Sequence, residues 1–133
     1  MNCEAGVTVI FDTDVLIWVE RGSQKAADLI NATDERYMSL LSFMELLQGA
    51  RTQNQIQRIK DFISHLNFQV LPLTENIGHR ASIYIEEYAI SRGIRVGDAL
   101  IAATAIEHNL ALATGNQKHF KAIRDLKLKP FIL

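Results

Sequence analysis

Three carboxylates and an amide carry the chemistry this sequence offers: Asp12, Glu45, Asp98 and Asn116. Asp12 sits with Asp14 inside Val7 to Leu16, VTVIFDTDVL, which reads as a short buried strand and then a turn holding both aspartates. Valine, isoleucine and phenylalanine fit a pleated, covered surface, and the run is too short for a typical helix. Glu45 lies in the first turn of the helix expected after the second strand. Asp98 opens an apolar helix, and Asn116 leaves a later strand. In a parallel sheet, strand ends and the starts of the following helices share one edge, where ligands bind in open α/β folds. Carboxylates brought together there repel unless a cation lies between them. Magnesium suits such a place: it takes oxygen ligands, keeps several waters and commonly uses one or two carboxylates. Manganese is its usual substitute. That pairing serves phosphoryl chemistry, by activating water and neutralising the leaving oxygen.

Each residue also has a simpler role open to it. Asp12 or Asp14 can cap a helix. Ser42-Phe43-Met44-Glu45 has the Ser-x-x-Glu pattern of a capping box. Asp98 can favour a helix dipole, and Asn116 is a common turn residue.

The elements that must position these groups alternate along the chain. After the first strand, Val15, Leu16 and Val19 begin a helix. Gly22-Ser23 breaks it, with Ser23 as the next cap, and Ala26, Ala27, Leu29 and Ile30 suggest a second short helix. Tyr37 to Leu41 reads as a strand, followed by the helix through Leu46, Leu47 and Ala50. Asn54 is placed to cap a helix whose apolar face is Ile56, Ile59, Phe62, Ile63 and Leu66, a helical spacing. Phe68 to Leu71 is a strand ended by Pro72. Thr74 caps a long helix with Ile77, Ala81, Tyr84, Ile85 and Tyr88 on one face, and Gly93 ends it. The helix ALIAATAIEH after Asp98 is apolar nearly all round, hence buried; Asn109 suits its left-handed end. Leu110 to Ala113 is a strand, Thr114-Gly115-Asn116 the turn leaving it, Lys118 to Leu126 one or two helical turns, and Pro130 to Leu133 an edge strand. The expectation is a three-layer α/β/α fold around a mainly parallel sheet, of the Rossmann-like kind.

At 133 residues, 48% of them hydrophobic, the chain fits a single domain over residues 1–133. A net charge of -1 demands neither nucleic acid nor a membrane, so a polyanion site must be a local patch. Lys118, Lys121 and Arg124, with Lys127 and Lys129 beyond, form one such candidate against the single acid Asp125; Arg51, Arg58 and Lys60 add to it. No apolar run approaches the length of a membrane span, and MNCEAG does not resemble a signal peptide. The one cysteine, Cys3, allows no internal disulfide and fits a reducing cytosol, so a cytoplasmic setting is expected.

Three stretches, FDTDVLIWVERG, SLLSFMELLQGAR and VGDALIAATAIEHNLALATGNQKHF, resemble the PIN-domain ribonucleases, and most closely the VapC-type toxins of toxin–antitoxin pairs. The third is the most specific, with an aspartate opening an Ala-rich helix and a strand ending in Thr-x-Asn. The resemblance implies a PIN-like fold and metal-dependent hydrolysis of RNA to 5′-phosphate and 3′-hydroxyl ends. It also implies a homodimer and a cognate antitoxin covering the site. Carried over, the metal-binding acids are Asp12, Glu45 and Asp98, with Asn116 at the fourth position and Thr114 beside the site. Members with asparagine at the fourth position carry aspartate three residues on; here that residue is His119, expected to have a surface or core role. Asp14 is expected to stand behind the ligands.

Two other readings fit parts of the chain. VTVIFDTDV also resembles the first motif of haloacid-dehalogenase-type phosphatases, with Asp12 as nucleophile and Asp14 as acid/base, although Ala102 falls where their later motif needs a second acid. The missing fourth acid also allows a PIN fold that binds without cutting.

Overall fold

A computed structural model describes residues 8–132, so Val7, Cys3 and Leu133 lie outside the described residues. The sheet has five strands: β1 Val9–Phe11, β2 Arg36–Ser39, β3 Phe68–Leu71, β4 Ala111–Thr114 and β5 Leu128–Pro130. Their order is β3-β2-β1-β4-β5, and every pairing is parallel. Each crossover carries helix, because parallel strands need long connections. The helices are α1 Thr13–Glu20, α2 Gln24–Asn31, α3 Leu40–Gln48, α4 Gln53–His65, α5 Glu75–Arg92, α6 Val96–Glu107 and α7 Gln117–Phe120.

The side-chain alternation of β1 divides the core in two. Ile10 points into one layer with Ile77, Tyr84 and the buried small residues of α6. Val9 and Phe11 point into the other, with Leu16, Ile30, Leu46 and Ile63. Phe11 meets Phe68 edge to face at 5.6 Å, which ties β1 to β3 across the intervening β2. The result is the three-layer α/β/α arrangement expected, with a sheet that is wholly parallel.

Several local signals act as read. Ser23 caps α2 and Thr74 caps α5, each accepting from the backbone N–H three residues on. Gly93 ends α5 at φ 72°, and Asn109 turns left-handed at φ 53° after α6. Others differ. α1 starts at Thr13, so Asp12 is its N-cap and Asp14 lies in its first turn rather than in a separate turn. Ser39, not Ser42, caps α3, accepting from Leu41 N at 3.0 Å. The capping box is therefore not formed: Ser42 is buried inside the helix, and Glu45 comes more than a turn later. Thr52 takes the cap of α4 in place of Asn54, bonding Gln55 N at 3.1 Å. The last strand is Leu128–Pro130, drawn earlier by pairing with Leu112 to Thr114.

Candidate metal centre

The carboxyl ends of β1 and β4, adjacent in the sheet, set the centre of the site. Asp12 N donates to Ala113 O at 2.9 Å, which fixes the end of β1 against β4. Asp12 is 6% exposed. Its Oδ1 accepts from Thr13 N at 2.8 Å and its Oδ2 from the Thr114 hydroxyl at 2.7 Å. Thr114, fully buried, in turn accepts from Asn116 N at 2.9 Å. The cap role of Asp12 is thus real, and it leaves lone pairs on both oxygens.

Asp14 reaches the same place from the first turn of α1. Its Oδ2 accepts from Gly115 N at 3.0 Å. Its Oδ1 is buried and has no hydrogen-bond partner. Burial, then the charge of Asp14, push the Asp12 carboxyl up to about 7; the bonds from Thr114 and Thr13 pull it back, and Asp98 pushes it further. Asp14 is likewise raised, by burial first and also by Asp98. The three aspartates therefore stand close enough to feel one another's charge.

Glu45 approaches from α3. Thr13 Oγ1 donates to Glu45 Oε1 at 2.7 Å, and the Thr13 and Ser42 hydroxyls are 2.8 Å apart. With the Thr13 proton on the carboxylate, Ser42 supplies the proton between the two hydroxyls. Glu45 Oε2 lies where a side chain on Gly97 would reach, 3.4 Å from a built Cβ, so α3 and the first turn of α6 meet at this carboxylate.

Asp98 is in that first turn but does not open the helix. α6 begins at Val96, and Asp98 Oδ2 faces Arg95 N at 3.4 Å. Its closer neighbour is His119, whose Nδ1 is 3.2 Å from Asp98 Oδ2 and 2.8 Å from Asn116 Nδ2. His119, its side chain 37% exposed, thus lies at the surface beside Asp98 and Asn116. The signal was available: three residues apart on one helical turn, Asn116 and His119 share a face.

Among the described residues, no group of three or more His, Cys, Asp or Glu side chains is gathered tightly enough to grip an ion unaided. Magnesium does not require one, since water fills most of its positions. Two features fit a hard divalent cation. Asp14 Oδ1 is a buried oxygen with no donor, and Asp12 carries its charge at a cost that a positive neighbour would remove.

Beside Glu45 a groove of about 590 Å³ runs between α1, α3 and α4, lined by Ile17, Leu46, Ile59 and Phe62 and by Arg21 and Arg58. Lys118, Lys121 and Arg124 are all exposed on and after α7.

A parallel α/β/α fold with acids gathered at the ends of its central strands is the design of a PIN domain. The chain belongs to the PIN-domain family, whose model matches residues 9–126. Its relatives narrow the place within that family to the VapC line. Ribonuclease VapC10 of Mycobacterium tuberculosis is 38% identical over 123 residues, covering 90% of each chain. Ribonuclease VapC1 of Rickettsia felis is 36% identical over 126 residues, 90% of this chain and 93% of that one. Among solved structures, a toxin–antitoxin complex from Klebsiella pneumoniae aligns over 95% of this chain and 100% of its own, at 29% identity and a TM-score of 0.79. The phosphatase reading of VTVIFDTDV falls with this family membership. Ala102 is fully buried in α6, with no second acid there.

Proposed function

We propose that the chain is a metal-dependent endoribonuclease, the toxin of a type II toxin–antitoxin pair. The observation that carries the reading is the unpartnered Asp14 Oδ1 beside the crowded carboxylates of Asp12 and Asp98, in a chain whose relatives include VapC ribonucleases. Asp12, Glu45 and Asp98 would hold the ion, with Asn116 offering a neutral oxygen. When bound, magnesium or manganese supplies an activated water and neutralises charge at the phosphate. The chain's own part is to orient and exclude. Thr114 fixes the rotamer of Asp12, and Thr13 fixes that of Glu45. Lys118, Lys121 and Arg124 offer charges to the RNA backbone. The groove beside Glu45 is our assignment for the antitoxin segment. Exposed Ile83, Ile90 and Val96 give apolar surface for a homodimer. No helix among the described residues is long and apolar enough to cross a membrane.

The test is cleavage of a panel of structured RNAs with magnesium, with manganese and with chelator, comparing wild type and Asp98→Asn. Metal-dependent cutting lost in the variant is the expected result. A folded protein that cuts nothing with any metal, on a panel that related nucleases digest, would favour a binding role.

A further inference from the structure

We propose that the imidazole of His119 is itself a ligand of the metal, adjacent to Asp98, so that this centre mixes one nitrogen with its oxygens. The inference rests on the metal reading above and deepens it.

The position of the ring is built, not incidental. α7 is a single turn closed by Lys121 N to Gln117 O at 3.0 Å, and the next side chain, Phe120, is fully buried in the core. That anchor holds His119 over the first turn of α6. Its Nδ1 then faces Asp98 Oδ2 at 3.2 Å, from an element separate in sequence. Neighbouring ligands on an octahedral ion at about 2.1 Å are themselves about 3 Å apart. The pair is therefore spaced to share one ion.

Hydrogen bonding alone satisfies this nitrogen only if the Asn116 amide is reversed. Nδ1 has one lone pair or one proton, never both. If it accepts from Asn116 Nδ2 at 2.8 Å, its lone pair confronts the Asp98 oxygen. If it donates to Asp98, its proton confronts the Asn116 amide group. A cation between Nδ1 and Oδ2 removes the conflict, and Asn116 then turns its oxygen to the same ion. The competing account is structural: with the amide reversed and no ion at the nitrogen, Nδ1–H would donate to both oxygens and merely position Asp98.

A nitrogen ligand shifts preference. Magnesium favours oxygen, whereas imidazole suits transition ions. The centre should therefore hold manganese over magnesium more strongly than an all-oxygen site would.

The experiment is pulsed electron paramagnetic resonance on the full chain loaded with Mn2+, reading modulation from a directly bound ¹⁴N. Wild type should show it. His119→Asp should bind Mn2+ without it, and should lose part of the manganese-over-magnesium preference in a competition titration. His119→Phe should lower Mn2+ affinity by about tenfold or more, the scale found even for groups that only support ligands. Circular dichroism checks that each variant is folded. Bound Mn2+ with no nitrogen signal in wild type, or a signal that survives His119→Asp, overturns the ligand role and leaves the metal reading standing. Absence of Mn2+ binding, or binding indifferent to Asp12→Asn and Asp98→Asn, overturns both.

Discussion

Thr114 donates its hydroxyl proton to Asp12 Oδ2 at 2.7 Å, across 102 residues of chain. The bond joins the ends of the two central strands and sets the direction in which the remaining Asp12 lone pairs point. It is also one of the interactions that hold the Asp12 carboxyl down. Thr114→Val should therefore raise that carboxyl above about 7 and move metal binding to higher pH. The lost hydrogen bond should cost about 1 kcal/mol of stability. Manganese affinity measured across pH checks this; an unshifted profile would sink it.

Glu45→Gln separates the site from the helix. Ser39 caps α3 and Glu45 makes no capping box, so the substitution removes charge without touching a helix end. Cleavage should fall by orders of magnitude while the melting temperature stays within a few degrees. A variant that cuts normally would remove Glu45 from the metal set.

Asp12 makes the metal-free protein sensitive to pH, and the sign is fixed. A carboxyl whose folded value is raised to about 7 stabilises the fold fully below its unfolded value near 3.8. That contribution is lost as pH rises through about 7. With chelator present, wild type should lose a few kcal/mol relative to Asp12→Asn between pH 4 and pH 8. Denaturant titrations at both values measure the difference. Parallel behaviour of the two proteins would show that the Asp12 charge is not costly.

Gly115 is where the chain has no room for a side chain. A Cβ there would meet Asp14 Oδ2 at 3.0 Å and the Phe131 carbonyl at 3.3 Å. Gly115→Ala should push Asp14 off its backbone donor and cost about 1–3 kcal/mol, as overpacking does. The readout is the unfolding midpoint; no change would mean that Phe131, just after β5, gives way freely.

The triple change Lys118→Ala, Lys121→Ala and Arg124→Ala should weaken RNA binding and flatten its salt dependence. The slope should drop by about one for each phosphate that is no longer neutralised. Binding of a non-cleavable RNA at several salt concentrations tests it; an unchanged slope would mark these bases as a solvated surface.

The elements were legible where local chemistry decides them. Phe68–Leu71 has the bounds that Pro72 and its apolar run suggest, and Thr74, Gly93 and Asn109 end helices as their types favour. Capping differed at two helices, where residues three and two positions before Ser42 and Asn54 take the cap. Ser39 won over Ser42 because Ser42 is needed, buried, against Thr13; Thr52 won over Asn54. The approach of Asp12 and Asp98 followed from strand ends and helix starts sharing an edge. The spacing of Asn116 and His119 hinted at their pairing, but the contact of His119 with Asp98 was not legible, since it depends on Phe120 anchoring a one-turn helix over α6. Nor was the groove beside Glu45, whose walls come from three helices.

β4 lies between β1 and β5, so the first strand of the chain gains its neighbour on that side only from a strand made late. A growing polypeptide that has released Asp12 and Glu45 still lacks Thr114, Asn116 and His119. The half-finished chain therefore holds only part of the candidate site. Synthesis supplies a delay during which a freshly made nuclease, still tethered to the machinery that translates RNA, has no assembled centre with which to attack it. Long-range pairing of this kind is also slow to form.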